Sequence, residues 1–279
     1  MRIVVTSAGG ANGNGRGTLL AFDPNGRSLG PFAPNAGIVD PRGLHLHPDG
    51  RHLYVANGDD RVLLLDERGT LVASTAPMER LNPGGVVVGP DGRCCVTART
   101  LRTIVAFSGD LTGLGVPLLP YDVVELPRGF AFSSDGGLFL AAGATGPSGG
   151  AGVIFAISPA PERPKARLVE DAELSPLDLT LAPNGNIVVN SEVPFGSEDA
   201  TTSAREYDGR TGKLVRVFRP AGSVRYRQPR GVRFAPDGRL FCVSRDEVVA
   251  FDFDSTKMLG AVVHLDQLHG QAIEFFPRG

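Results

Sequence analysis

Residues Pro41 to Asp66, PRGLHLHPDGRHLYVANGDDRVLLLD, carry the pattern that determines the fold of this chain. Apolar residues alternate over 43–47, Pro48-Asp49-Gly50 supplies a turn, and 53–56 form a second apolar run, which together predict a β-hairpin. A third run over 61–65 follows the polar segment 57–60, and the turn Glu67-Arg68-Gly69 leads into a fourth. The stretch and its continuation therefore predict a four-stranded antiparallel meander.

The same turn recurs along the whole chain. The copies are Pro48-Asp49-Gly50, Pro90-Asp91-Gly92, Ser134-Asp135-Gly136, Pro183-Asn184-Gly185, Pro236-Asp237-Gly238 and Pro277-Arg278-Gly279. Their glycines are 41 to 53 residues apart, which is the period of a four-stranded propeller blade.

A second motif, the tripeptide that opens the first strand of each unit, has the same period. Its copies are Pro41-Arg42-Gly43, Pro83-Gly84-Gly85, Pro127-Arg128-Gly129, Pro176-Leu177-Asp178, Pro229-Arg230-Gly231 and the weakest, Gly270-Gln271-Ala272. Six copies predict six blades. The chain ends after a first strand and begins with a second strand, Ile3 to Ser7, so we expect the last strand to complete the first blade and close the ring.

The motifs resemble those of the NHL-repeat and gluconolactonase-like six-bladed β-propellers over essentially the whole chain. The resemblance implies an all-β fold with residues 1–279 in one propeller domain. It does not imply one function, because this architecture hosts hydrolases, lyases, synthases and binding modules. Since the long connections of each unit follow its second and fourth strands, we expect function on the face where they lie.

The composition limits the classes of partner. The net charge is −2, so no basic field for nucleic acid is expected, and no apolar run is long enough for a membrane span. Cys94, Cys95 and Cys242 lie in apolar runs, which favours small core residues over disulfides or reactive thiols. The chain has no apparent secretion signal, and we expect a cytoplasmic location.

Three arginines, Arg42, Arg128 and Arg230, share the middle position of the opening tripeptide, where Gln271 stands in the last copy. Near one channel axis these cations would repel one another unless an anion lies among them. They are candidate binding residues for a carboxylate or phosphate, with pairing to acidic loop residues or backbone carbonyls as the structural alternative.

Asp178 stands where four other blades have glycine, so a carboxylate replaces a glycine near the same rim. It is a candidate acid or base, a metal ligand, or the partner of one of those arginines. Asn190 and Glu192 end the second strand of the same blade, and Asn57 ends that of its own. These oxygen ligands suit Ca²⁺ or another divalent cation, for which Asp178 and Asn190 are the candidate ligands.

The resemblance to the lactonases also implies a metal site, with Asn or Asp directly before the glycine of the tripeptide. That position holds Arg42, Gly84, Arg128 and Arg230 instead, so the expected ligand set is absent. Metal-dependent lactonase activity is for this reason the third of our functional hypotheses.

Two histidines are further candidates. His45, Arg233 and Glu274 occupy one strand-one position in consecutive blades, which predicts a polar chain along the channel wall or a proton-transfer pair. His269 precedes the last tripeptide and is a candidate substrate-binding residue with Gln271 and Asn57.

The leading hypothesis is a small-molecule-binding propeller of hydrolase or lyase type that acts on a polar or anionic substrate. Arg42, Arg128 and Arg230 would orient the substrate, and Asp178, Glu192 or His45 would transfer protons. The alternative is a non-catalytic NHL-type module that binds a protein or peptide, for which an exposed aromatic patch around Phe32, Phe195 and Tyr226 would be evidence.

Overall fold

The computed structural model describes residues 1–8, 16–122, 124–142, 152–157, 166–194, 196–197, 200–222, 224 and 226–277. In these residues, 24 strands form six four-stranded antiparallel sheets. The sheets are the blades of a six-bladed β-propeller, so the predicted fold class is confirmed. No helix in the described part of the chain is long and apolar enough to cross a membrane.

Blade 1 contains both the first and the last strand of the chain, and blades 2 and 3 follow it in sequence. Blade 1 has the order β24 (Gly270–Phe276), β1 (Arg2–Ser7), β2 (Thr18–Phe22), β3 (Ser28–Pro31). Blade 2 comprises β4 (Gly43–Leu46), β5 (His52–Asn57), β6 (Arg61–Asp66) and β7 (Leu71–Ser74). Blade 3 comprises β8 (Pro83–Val88), β9 (Cys94–Ala98), β10 (Thr103–Phe107) and β11 (Val116–Pro117).

The other three blades follow the same meander. Blade 4 comprises β12 (Pro127–Phe132), β13 (Leu138–Ala142), β14 (Gly152–Ile157) and β15 (Ala166–Asp171). Blade 5 comprises β16 (Pro176–Leu181), β17 (Ile187–Val193), β18 (Thr201–Tyr207) and β19 (Leu214–Phe218). Blade 6 comprises β20 (Val232–Phe234), β21 (Leu240–Val243), β22 (Glu247–Phe251) and β23 (Met258–His264).

The ring closes through pairing of the two ends of the chain. β24 runs antiparallel to β1, with Phe275 opposite Ile3 and Ile273 opposite Val5. This is the predicted closure, and it gives β1 a partner on each side.

The core lies between neighbouring blades rather than in one central layer. Val4 packs with Leu44 and Leu53 of blade 2, whereas Ile3 packs with Phe241 of blade 6. Successive residues of a strand point to opposite faces of the sheet, and both faces are covered in a ring of blades. The second and third strands therefore read as nearly continuous apolar runs. The three cysteines are buried and unpaired, as their positions predicted.

The opening tripeptides place side chains at the channel. In three blades the register shifts directly after the proline of the tripeptide, at Pro83, Pro127 and Pro176. Such a bulge takes the next residues out of the hydrogen-bonded ladder and turns their side chains. In these three blades the middle residue of the tripeptide consequently lines the channel.

Candidate functional site

The six tripeptides surround a cavity of about 240 Å³ at one mouth of the channel. We call it the channel-mouth cavity. Its lining residues are Arg42, Gly43, Gly84, Gly85, Arg99, Arg128, Gly129, Leu177, Asp178, Arg230, Arg233, Gln271 and Ala272. Five arginines and one carboxylate therefore face one small volume.

The three arginines predicted at this rim all line the cavity, and the structure adds a fourth, Arg99. Arg99 directly follows β9, and its side-chain stem lies over Gly84, where an added Cβ would be 3.3 Å from Arg99 Cδ. Gly84 is the middle residue of the blade 3 tripeptide, where three other blades have arginine. The guanidinium of Arg99 thus takes the place that arginine occupies in the tripeptides of three other blades.

Burial and neighbouring arginine charges lower the pKa of two rim arginines, Arg99 and Arg128. Burial and the charges of Arg99, Arg230 and Arg42 lower the pKa of Arg128 to about 10. Burial is also the first cause of the lowered pKa of Arg99, to which Arg42 and Arg230 add. Buried like charges disfavour the charged form, so the electrostatic environment of this rim favours an anion.

Neighbouring groups neutralise part of this charge. Arg42 Nη2 lies 2.7 Å from Asp40 Oδ2, and its Nη1 donates to Asn82 Oδ1. Arg230 Nη1 lies 3.9 Å from the buried Glu192 Oε2. Arg99 Nε is buried and has no hydrogen-bond acceptor among the described residues. Arg42 is thus held in an ion pair, while Arg99 retains hydrogen-bonding capacity.

Below the rim, an ionic chain crosses four consecutive blades. Arg233 Nη1 donates to Asp178 Oδ2 at 2.8 Å, and Arg233 Nε lies 4.0 Å from Glu274 Oε2. The same Glu274 oxygen is 3.9 Å from His45 Nδ1. The structure thus brings together the three residues predicted as a polar chain and adds Asp178 to them. Asp178 pairs with Arg233, not with an arginine of the tripeptides.

Burial sets the protonation of this chain. It raises the pKa of Asp178 and that of Glu274, against the opposing charge of Arg233 in both cases. It also lowers the pKa of His45 to about 3, with a further contribution from Arg233. His45 is therefore neutral at neutral pH, and Asp178 is the carboxyl group of this ionic chain that lines the cavity.

The predicted catalytic residues differ in their access to the cavity. Asp178 lines the channel-mouth cavity, whereas His45 and Glu192 do not. Glu192 is buried, and its two oxygens accept hydrogen bonds from the backbone amides of Gly196 and Gln228. Glu192 therefore holds two loops together beside Arg230.

Of the other predicted binding residues, Gln271 lines the cavity, and Asn57 and His269 do not. Asn57 is fully buried, so its position gives the predicted contact with substrate no support. Its Oδ1 accepts from Val39 N at 2.8 Å, and its Nδ2 donates to Gly37 O and Asp59 Oδ1. The side chain holds the loop between blades 1 and 2 against its own strand.

The predicted metal ligands are engaged in other interactions. Asn190 is fully buried, accepts from Tyr226 Oη at 2.6 Å and donates to Arg230 O and Gly231 O. Asp178 is paired with Arg233. A cation between the two residues would displace a guanidinium and break a buried amide network, so their contacts give the Ca²⁺ prediction no support.

Two of the three aromatic residues considered for a protein partner are buried. Phe32 is 5% exposed and Tyr226 is 3% exposed, and both pack in cores between blades. Phe195 lies outside the described residues. The two residues that the structure describes therefore do not supply the exposed aromatic surface that would be evidence for a protein partner.

The sequence did contain a signal for Arg99. The residue seven positions after the turn glycine lies at or near the end of the second strand, and in this chain it is Asn57, Arg99, Glu192 or Arg245. Aligning that column, in addition to the tripeptide, would have made Arg99 a candidate, although the other three residues do not line the cavity. The ion pair between Arg233 and Asp178 joins two blades. The repeat does not indicate which acidic residue Arg233 pairs with.

The fold and this site together define a six-bladed β-propeller with a cationic cavity at the mouth of its channel. Solved structures with this architecture include a chain of the nidogen/laminin complex, with 16% identity, a TM-score of 0.74 and coverage of 98% of this chain and 97% of that one. A gluconolactonase from Xanthomonas campestris shows 18% identity and a TM-score of 0.64 over 94% and 85% of the two chains.

A streptogramin B lyase shows 15% identity and a TM-score of 0.58 over 81% of this chain and 70% of its own. No family model matches the sequence, and no curated protein is significantly similar to it. At these identities the likenesses show the fold alone. They confirm the architecture that the repeat motifs predicted, shared by propellers of different function.

Proposed function

We propose that this propeller binds a small anionic molecule in the channel-mouth cavity and acts on it as an enzyme of hydrolase or lyase type. The observation that carries the proposal is the convergence of Arg42, Arg99, Arg128 and Arg230 on one cavity, with burial and mutual repulsion lowering the pKa of Arg99 and Arg128. A bound anion would relieve this repulsion.

The ligand is expected to carry a carboxylate or phosphate group. Guanidinium groups bind such planar or tetrahedral oxyanions through paired N–H donors. The cavity of about 240 Å³ is small, which favours a metabolite-sized molecule over a peptide chain. Arg99 and Arg128 are the residues we assign to direct contact, because both line the cavity and the charges of the other rim arginines lower the pKa of both.

The proposed reaction depends on Asp178. Its carboxyl group lines the cavity, and burial raises its pKa toward the range useful for proton transfer. With the anionic group held by the arginines, Asp178 would donate a proton to a leaving group or accept one from a carbon or water. His45 and Glu274 act indirectly, by positioning Arg233 and through it Asp178.

The binding proposal is tested by calorimetry and thermal shift with inorganic phosphate and a series of mono-, di- and tricarboxylates. We expect at least one of these anions to bind with a stoichiometry of one and to raise Tm. Arg99→Gln and Arg128→Gln should each weaken that binding by about tenfold or more. Arg239→Gln, at a turn that does not line the cavity, is the matched control and should change nothing.

The catalytic proposal is tested separately with esters, lactones and activated eliminable substrates that carry the preferred anionic group. Asp178→Asn should abolish turnover while retaining measurable anion binding. If no anion binds, or if Arg99→Gln and Arg128→Gln bind as tightly as the unmodified protein, the cavity is not an anion site.

A non-catalytic interaction module is the second candidate, because the structure from the nidogen/laminin complex covers almost the full chain. This candidate predicts no turnover of any anionic ligand and a protein partner whose binding Arg99→Gln disrupts. A metal-dependent lactonase is the third candidate, and unchanged Tm and lactone turnover with EDTA or added Ca²⁺ would exclude it.

A further inference from the structure

The turn between β4 and β5 carries a cluster of side chains that the channel-mouth cavity does not use. His47, Asp49 and His52 lie there, at the opposite end of β4 from the tripeptide that faces the cavity. One ligand atom from each residue lies within 4.8 Å of the other two. We call these three residues the His-Asp-His turn.

The two carboxylate oxygens of Asp49 make different interactions. Its Oδ1 accepts hydrogen bonds from the amides of Arg51 and His52, which is the usual turn-stabilising role of aspartate. Its Oδ2 lies 2.6 Å from His52 Nδ1 and 3.1 Å from His47 Nδ1. Two imidazole nitrogens therefore converge on one carboxylate oxygen that the turn itself does not need.

Other blades show what this position holds in the absence of histidine. At the corresponding turns, Asp91 Oδ2 pairs with Arg93 Nε at 2.6 Å, and Asp237 Oδ2 pairs with Arg239 Nη2 at 2.7 Å. In both cases a guanidinium group interacts with the Oδ2 atom of the aspartate. In the His-Asp-His turn, two imidazoles take the place of that guanidinium.

The histidines are not required by the turn. The residues that correspond to His47 in the described turns are Gly89, Ser133, Ala182 and Ala235, and those that correspond to His52 are Cys94, Leu138, Ile187 and Leu240. These turns fold with small residues at the first position and mostly apolar residues at the second. The paired histidines thus have no role in the repeat as such.

We propose that the His-Asp-His turn binds a divalent transition-metal ion, with zinc(II) as the expected ion. Two imidazoles and a carboxylate are ligands that zinc prefers, and three protein ligands leave a position for water. Each side chain is about one-third exposed, at 31%, 35% and 32%, so an ion can reach the cluster from solvent. Ca²⁺ is disfavoured because it prefers six to eight oxygen ligands.

Binding would require two local exchanges. The hydrogen bond of 2.6 Å between His52 Nδ1 and Asp49 Oδ2 would give way to coordination of both atoms. His47 Nδ1 now accepts a hydrogen bond from the Asp49 amide at 3.1 Å, and a coordinate bond would replace it. The turn also adjoins the seam of the ring, since an added Cβ on Gly50 would lie 3.6 Å from Pro277. An ion at the turn is therefore expected to stabilise the blade next to the closing strand.

The test is calorimetric titration of chelator-treated protein with ZnCl₂, alongside His47→Ala and His52→Leu. Both substitutions introduce residues that corresponding turns already contain, and urea unfolding without metal checks that each variant folds. We expect one zinc ion per chain and a rise in Tm for the unmodified protein, with affinity weakened by about tenfold or more in each variant.

His264→Ala is the matched control, because His264 also lies beside carboxylates, Glu247 and Asp266, without forming such a triad. It should bind zinc as the unmodified protein does. Cobalt(II) provides a second readout, with the visible absorption of a low-coordinate site lost in His52→Leu. Absence of one-to-one zinc binding, equal affinity in His52→Leu, or loss of binding in His264→Ala would each overturn the proposal.

Discussion

Arg233 Nη1 lies 2.8 Å from Asp178 Oδ2 across the boundary between blades 5 and 6, and the Val232 amide donates to the same oxygen at 3.2 Å. Asp178 stands where most blades have a glycine that lets neighbouring backbones approach. At Gly129, for example, an added Cβ would lie 2.0 Å from Asp178 Oδ1. The Asp178 carboxylate thus packs against Gly129 of blade 4 and binds Arg233 of blade 6.

Removing this carboxylate should destabilise the ring. The two side chains are 13% and 12% exposed, so Asp178→Ala would leave Arg233 largely buried with Glu274 at 4.0 Å as its remaining acid. We expect a loss of about 3–5 kcal/mol in the free energy of unfolding, measured with urea. The double variant Asp178→Ala/Arg233→Met should cost less than the sum of the single changes, and additive costs would contradict a direct pair.

Arg128→Gln should stabilise the ligand-free protein. Its folded-state pKa is lowered to about 10, so the charged form is disfavoured in the native state and the cost is present at all lower pH values. We expect a gain of about 1 kcal/mol at neutral pH, together with the weaker anion binding proposed above. The gain should shrink above pH 10, where the native arginine begins to lose its proton.

Arg239→Gln is the comparison for that experiment, because Arg239 lies in an exposed ion pair with Asp237. Its effect on stability should be within about 1 kcal/mol and should not be stabilising. Destabilisation by Arg128→Gln would show that other groups of the protein already neutralise the positive charge of the rim arginines when no ligand is bound.

His45 should make the protein sensitive to acid. The pKa of this imidazole falls from 6.5 to about 3 on folding, chiefly because of burial. Between these two pH values the unfolded chain binds the proton and the native protein does not, so stability falls as the pH falls from 6.5 toward 3. The slope attributable to His45 approaches about 1.4 kcal/mol per pH unit.

His45→Gln should remove that slope. Urea unfolding at intervals from pH 7 to pH 4 gives the difference in unfolding free energy between the variant and the unmodified protein. The difference should move steadily in favour of His45→Gln as the pH falls. A constant difference, or an NMR titration in which the His45 ring gains its proton near pH 6, would contradict the assigned environment.

The repeat made most of the architecture predictable. Six turn glycines and six tripeptides established the number of blades, and the unmatched strands at the two ends predicted the pairing of β24 with β1. The same alignment placed Arg42, Arg128 and Arg230 at one rim, because equivalent positions in a ring face one axis.

The interactions between blades and loops were less predictable. Asn57 ends β5 and Asn190 lies in the middle of β17, and at such positions a polar side chain either faces the channel or turns back to hold a connecting loop. Both are fully buried and bound to backbone groups, a choice that depends on how the loops fold over them. A strand pattern does not contain that information.

Asn57→Ala therefore separates a structural role from a binding role. The partly buried amide of Val39 would lose its acceptor, and we expect a loss of about 1–3 kcal/mol in unfolding free energy. Asn25→Ala, at an exposed turn of blade 1, should change stability by less than about 0.5 kcal/mol. Anion affinity in the folded Asn57→Ala protein should be unchanged, and a tenfold loss would return Asn57 to the binding site.

Closure of the ring should depend on the apolar face of β24. Phe275 is 3% exposed, and its ring centroid lies 5.0 Å from that of Phe241 in blade 6. Phe275→Ala leaves a cavity between the first and last blades, for which we expect a loss of about 3–5 kcal/mol in urea unfolding. Leu29→Ala, on the outer strand of the same blade with the side chain 56% exposed, should cost less than about 0.5 kcal/mol.

The two ends of the chain meet in blade 1, so Phe275→Ala should also loosen β1 and β24 before the other blades. Hydrogen exchange should show earlier loss of protection at the amides of Val5 and Ile273, which pair across these strands. Equal loss of protection in all six blades would show instead that the ring unfolds as one cooperative unit, in which closure has no separate stability.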